Sequence, residues 1–172
     1  MHIRLGILLG AIALVGLSAC ATSVSGPSAS AELQARSGSS VSGRVSLVET
    51  SGGLRVEAQV AGLSPGEHGF HVHEVGDCSA PDASSAKGHF NPAGKAHGHH
   101  ASSERHGGDM PNLVANAAGE ARFSGVVSGL TLSGPNGVVG RSVVIHADPD
   151  DYKSQPAGNS GKRVACGVIL AR

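Results

Sequence analysis

Aromatic residues are nearly missing from this chain: among 172 residues there is no Trp, one Tyr (Tyr152) and three Phe (Phe70, Phe90 and Phe123). Any core must therefore be assembled from Val, Leu, Ile and Ala. The chain also lacks a surplus of charge, with 13 Lys and Arg against 13 Asp and Glu. Phosphate binding needs a basic excess, so nothing here supports nucleic acid as a partner. No segment after the N-terminal stretch carries a sustained helical stripe of apolar residues. The long apolar run, Leu5 to Leu17, is too short for a comfortable transmembrane helix. Cysteine is scarce and odd in number: Cys20, Cys78 and Cys166.

The N terminus explains the odd cysteine. Met1-His2-Ile3-Arg4 followed by the apolar run reads as a secretory signal, and Leu17-Ser18-Ala19-Cys20 resembles the lipobox of bacterial lipoproteins. That resemblance implies a signal peptide over residues 1–19, cleavage before Cys20, and acylation of Cys20. Several acyl chains would hold the protein stably on a membrane of the bacterial periplasm or cell envelope, where one chain would not. Losing residues 1–19 removes Arg4 and no acid, so the exported chain has 12 basic against 13 acidic residues. With Cys20 lipidated two cysteines remain, and an oxidising compartment would let Cys78 and Cys166 pair. A bond closing so long a loop restricts the unfolded chain by about 4–5 kcal/mol in the chain-entropy model. Residues 20–40, rich in Ser, Ala and Gly, read as a flexible tether. Residues 41–172 then form one domain.

Within that domain the apolar residues alternate. Val41, Val45 and Leu47 recur at mostly two-residue spacing. After Ser51-Gly52-Gly53, the residues Leu54, Val56, Ala58 and Val60 alternate cleanly. Period two around a glycine turn is a β-hairpin. Residues 121–127, 140–146 and 164–171 read as further strands. Twenty-six glycines suit many tight turns. The fold class is all-β, an antiparallel sandwich or flattened barrel. Two segments are too long for hairpin loops: Cys78 to Pro111, and Ala147 to Lys162. Loops of that length usually carry function or are disordered, and the first holds most of the histidines.

Histidine is what the chain has in place of aromatics. His71-Val72-His73 ends a predicted strand, where residues two apart share a face, leaving Phe70 and Val72 to the core. His146 follows Val143-Val144-Ile145 at the end of another strand. In the long loop, His97, His106 and Asp109 converge only if the chain folds back, which Gly94, Gly98, Gly107 and Gly108 permit. His89 completes either group: a tetrahedral His3Asp set, or a four-imidazole set with His71, His73 and His146. A ring with two nitrogens can also serve both, provided two cations flank it. His68 lies an odd number of residues from the His71–His73 pair, faces the other way, and reads as structural. Seven potential ligands exceed the needs of one tetrahedral ion, so the set suggests two metals and catalysis.

The order and spacing of these pieces resemble the copper/zinc superoxide dismutase family. The resemblance is carried by Gly69-Phe70-His71-Val72-His73-Glu74, Gly88-His89-Phe90-Asn91-Pro92, His97, Arg105-His106-Gly107-Gly108-Asp109, Val144-Ile145-His146 and Arg163-Val164-Ala165-Cys166-Gly167-Val168. It spans about Val41 to Arg172 and implies an immunoglobulin-like Greek-key fold. It implies one copper per subunit on His71, His73, His89 and His146, and one zinc on His89, His97, His106 and Asp109, with His89 as a bridging imidazolate. It implies a disulfide between Cys78 and Cys166, an arginine (Arg163) guarding the copper, and Asp150 linking a copper-ligand His to a zinc-ligand His. The activity implied is dismutation of superoxide to oxygen and hydrogen peroxide by a one-electron copper cycle, with zinc structural and His89 carrying a proton. Relatives so resembled include monomers and homodimers.

His99 and His100 add nitrogens that the resemblance does not require; spacing to His89 and His106 favours His97 as the zinc ligand, leaving the pair as exposed loop residues or a metal-recruiting patch. Lys87, Lys95, Lys153 and Lys162 are set against Asp148, Asp150 and Asp151 around the expected mouth. Two other readings compete. A non-enzymatic copper/zinc storage or delivery domain would be favoured by loss of a copper ligand or of Arg163, and neither is lost. A zinc-stabilised structural or adhesion module explains His97, His106 and Asp109 but leaves His71, His73 and His146 as coincidence.

Overall fold

The computed structural model describes residues 26–172; the expected signal peptide and Cys20 lie outside the described residues. Nine strands follow one another: β1 (Ser28–Ala35), β2 (Ser42–Thr50), β3 (Gly53–Ala61), β4 (Gly66–His68), β5 (Phe70–His73), β6 (Leu113–Ala115), β7 (Ala121–Val127), β8 (Ser142–His146) and β9 (Arg163–Ala171). A single 3₁₀ turn at Ser84–Ala86 is the only helical element among the described residues. Every strand pairing is antiparallel, in the order β4-β6-β7-β3-β2-β1-β9-β8-β5.

The two ends of that order, β4 and β5, are one stretch of chain interrupted at Gly69. The peptide groups of Gly69 bind back into the far side of the sheet. Its N–H donates to the carbonyl of Asp148, and its carbonyl accepts from His146 N–H, each at 2.9 Å. The sheet therefore curls into a nearly closed barrel, which removes the exposed edges an open sheet would carry. The crossovers from β3 to β4–β5, and from β7 to β8, make the connectivity a Greek key. The all-β class expected from the alternation is what the chain adopts.

The alternation read in the sequence sets the core. In β3, Leu54, Val56, Ala58 and Val60 are buried while the residues between them are exposed. They meet Val45 and Leu47 of β2, Phe70 and Val72 of β5, and Ile145 and Ile169. Burying each such aliphatic side chain contributes roughly 1.5–3 kcal/mol. Phe70 and Phe123 pack edge to face with ring centres 6.0 Å apart.

The tether expected over residues 20–40 is too long. Residues 28–35 form β1, which pairs with both β2 and β9 in the middle of the sheet. Ala29, Ala31 and Leu33 are buried in the core. The inward residues of this strand are mostly alanine, so its period of two sits on little hydrophobicity and resembles a polar linker. The domain thus begins before residue 41.

Candidate metal centre

The ligand residues gather along one edge of β5. On one side β5 pairs with β8, Val72 opposite Val143. On its other side the long loop folds back and takes the place of a strand. Val72 N–H donates to the Gly108 carbonyl at 3.0 Å, Phe90 N–H to the Val72 carbonyl at 2.8 Å, and Gly108 N–H to the Phe90 carbonyl at 2.8 Å. This pairing sets His89 opposite His73 and Asp109 opposite His71. A side chain at Gly108 would collide with the Val72 carbonyl, so the close approach requires glycine. His146 arrives from β8, where the register to β9 shifts between Ile145 and His146. Such a bulge bends the strand locally and re-aims a side chain.

Two groups of ligand atoms result, each with members within 4.8 Å of one another: His71, His73, His89 and His146; and His89, His97, His106 and Asp109. All seven residues are buried. The arrangement passes a direct test of fitness for metal. Buried polar atoms are nearly always hydrogen-bonded, yet Nδ1 of His71, Nε2 of His89, Nδ1 of His97 and Nδ1 of His106 are buried with no hydrogen-bond partner. Nδ1 of His97 and of His106 lie 3.1 and 3.4 Å from oxygens of Asp109, close but outside hydrogen-bond geometry. Buried nitrogens left unpaired in such a crowd of ligand atoms are placed for a shared cation.

The second nitrogen of most rings is committed elsewhere, which fixes the tautomer. His73 Nδ1–H donates to the Lys87 carbonyl at 3.0 Å, and His146 Nδ1 lies 3.3 Å from the Gly161 carbonyl. Their Nε2 atoms then face each other at 3.5 Å. Nε2–H of His71 and of His97 donate to the two oxygens of Asp150, at 2.8 and 2.9 Å. One buried carboxylate therefore orients a ring in each set, an arrangement that raises ligand basicity. His89 differs: Nε2 faces the four-imidazole set, while Nδ1 lies 2.9 Å from Asp109 Oδ1 in the mixed set.

Electrostatics match that division. Burial, then the neighbouring His89 and His146, hold His73 well below its ordinary pKa. Burial does the same for His146 and brings His89 down to about 4. These rings are neutral, the form in which an imidazole can bind a metal. Burial also opposes charge on His97, but the carboxylates of Asp109 and Asp150 outweigh it and raise the ring to about 9. Burial disfavours the charged form of Asp109 too, and the His106, His89 and His97 rings around it reverse this and hold it far below the usual carboxylate range. The mixed set is thus the more electronegative of the two.

Arg163 stands where β9 begins. Its guanidinium donates to the carbonyls of Ala83 and Lys87, both at 2.7 Å, and Lys87 is also the acceptor for His73. The loop supplying those carbonyls is fastened to β9 by the Cys78–Cys166 disulfide, whose Cα atoms are 5.7 Å apart, over a small cluster of Ala83, Ala86 and Val144. Asp150, rather than Asp148 or Asp151, makes the link between the two sets. The loop 147–162 covers it closely: a side chain at Gly158, which has φ +64, would collide with the Asp150 carboxylate. His68 is buried and bonds the His146 carbonyl (2.9 Å) and Ser64, outside both sets. The His99 and His100 rings lie against each other, tilted, with 4.2 Å between ring centres, beside Tyr152, also outside both.

Two site residues had not been picked out from the sequence. Asn112 accepts from Asp150 N–H and donates to its carbonyl, each at 3.0 Å. Gln155 does the same for His97, each at 2.9 Å. Amide side chains that grip backbone carry no spacing or residue-type signature. The one available signal was their position, three residues past Asp109 and five past Asp150.

A Greek-key barrel whose loops fold two ligand sets around one shared imidazole defines a dinuclear metal-binding protein. The family model described as copper/zinc superoxide dismutase (SODC) matches residues 41–169. Superoxide dismutase [Cu-Zn] of Deinococcus radiodurans is 42% identical over 169 residues, covering 91% of each chain. Superoxide dismutase [Cu-Zn] 2 of Aquifex aeolicus is 46% identical over 135 residues, 75% of this chain and 79% of the relative. The crystal structure of the clock protein EA4 superposes with a TM-score of 0.77 at 40% identity, covering 86% of this chain and 97% of that one. The chain belongs to the copper/zinc superoxide dismutase family.

Proposed function

We propose that the protein converts superoxide to oxygen and hydrogen peroxide, with copper on His71, His73, His89 and His146 and zinc on His89, His97, His106 and Asp109. The observation that carries this reading is the His89 ring, with an unpaired buried Nε2 toward one set and Nδ1 toward the other. When bound, copper supplies a one-electron couple and zinc a fixed charge without redox chemistry.

The residues do the rest. Two superoxide anions and two protons give one oxygen and one peroxide, so the site must attract an anion and deliver protons. The Arg163 guanidinium, locked by two carbonyls beside His73, offers a fixed docking charge. Held from its Nδ1 side, His89 can take a proton at Nε2 and give it to the doubly reduced dioxygen. Asp150 keeps His71 and His97 in their ligand tautomers, and burial keeps the His73, His89 and His146 rings neutral.

The N-terminal pattern supports an exported protein, lipid-anchored through Cys20 at the cell envelope, with superoxide from that compartment as substrate; monomer and homodimer both suit the reading. The test is His73→Ala. This variant removes one nitrogen from the four-imidazole set alone, so superoxide removal is abolished while one zinc per chain still binds. Full retained activity refutes the copper assignment. A wild-type chain that binds both metals and leaves superoxide untouched favours storage or delivery instead.

A further inference from the structure

The loop 147–162 meets both ligand sets at once. Its Asp150 binds His71 and His97, and its residues Gln155, Pro156, Asn159 and Gly161 line a cavity of about 320 Å³ that reaches His146. A polar loop without strand pairing holds such a position only if something registers it. Gln155 has the geometry for this. Its Oε1 accepts from His97 N–H and its Nε2 donates to the His97 carbonyl. The same Nε2 lies 3.3 Å from the Lys153 carbonyl within its own loop.

His97 needs such a grip. It lies in the long loop, between residues with no strand partner, and its ring must present Nδ1 to three other donors. Asp150 fixes the far ring nitrogen, and Gln155 fixes the backbone that carries the ring. The two contacts come from one loop, five residues apart.

We propose that Gln155 is a positioning residue for the mixed ligand set: its amide locks the backbone of His97 and so couples that set to the wall of the cavity over His146. The proposal rests on His97 being a ligand, as read above. Loss of the amide lets His97 and the loop move independently. Removing an outer partner of a ligand typically weakens metal binding by about 10–100-fold, and the same scale applies here.

The test uses Gln155→Met, which keeps length and volume and removes both hydrogen bonds. Zinc release to a chromogenic chelator is followed on the copper- and zinc-loaded mature chain. The visible spectrum is recorded on the cobalt-for-zinc derivative with copper reduced. Expected are zinc release about tenfold faster than wild type, or more, and a shifted cobalt band. A mere surface tether would leave the cobalt band where it is. Wild-type release and an unshifted band overturn the proposal. If wild type itself shows no tetrahedral cobalt band, the mixed-set reading fails instead, which separates the two. Should Gln155→Met not fold, Gln155→Asn carries the same test, because its amide stops one methylene short of His97.

Discussion

Replacing Asp150 by Ala tests the link between the two ligand sets most directly. The carboxylate accepts from His71 and His97 and also from the N–H of Tyr152, at 2.7 Å. Ala removes all three acceptor contacts and leaves two buried ring N–H groups facing the vacated space. The consequences differ between the sets. In the four-imidazole set, His73 and His146 keep their own carbonyl partners, Lys87 and Gly161, and His89 keeps Asp109, so three rings of four remain oriented. In the mixed set, His97 loses the acceptor of its far nitrogen just as His71 does, but His71 is held in strand β5 while His97 sits on a loop without a strand partner. Zinc therefore suffers more. An outer-partner loss of about 10–100-fold in affinity corresponds to about 1.4–2.8 kcal/mol. The assay is competition titration of each metal against a chelator of known affinity, with superoxide removal measured on the same samples. Zinc affinity is expected to fall at least tenfold, with copper falling less. Zinc binding within threefold of wild type refutes the reasoning, and so does a loss confined to copper.

Arg163→Glu replaces the docking charge with one that repels the substrate; the second-order rate should fall tenfold or more, the order of steering effects at charged clefts, and its salt dependence should change sign. An unchanged rate would dismiss Arg163 from the reaction. Cys78→Ser with Cys166→Ser opens a crosslink between residues 88 apart, and urea unfolding of the metal-free chain should show a loss of about 4–5 kcal/mol. A loss under 1 kcal/mol would mean that the unfolded chain gains little freedom when the bond is removed.

What could be read from the sequence follows the scale of each signal. Strands with Val and Leu on one face, such as β2 and β3, are legible because alternation and hydrophobicity coincide. β1 is not, since Ala29 and Ala31 fill its inward positions. β4 and β6 have three residues each, too short for any period. The ligands were legible because metal binding is a property of residue type: His, Asp and their spacing survive in the sequence whatever the loop does. The route by which they converge was not legible. It depends on backbone pairing of Gly108 and Phe90 with Val72 and on the bulge that aims His146, and peptide groups are the same in every residue. Gln155 and Asn112 escaped for a related reason, because their role is to bind backbone.

The same backbone route implies that the metals and the disulfide stabilise one structure jointly. Between β5 and β6 the chain runs almost forty residues with one 3₁₀ turn and few backbone bonds to the barrel, chiefly those around Val72 and from Ser37 N–H to the Pro81 carbonyl. Three devices fasten it: the disulfide near its start, His89 in both ligand sets, and His97, His106 and Asp109 near its end. Each closes a loop that the others shorten. Once zinc holds His97 and Asp109, the disulfide restricts a chain that is already partly restricted, because closure entropy grows only slowly with loop length. Contributions that share a segment are not additive. The stabilisation by the disulfide measured on the metal-loaded chain should therefore differ from the metal-free value, and the difference measures how far the two crosslinks restrain the same segment.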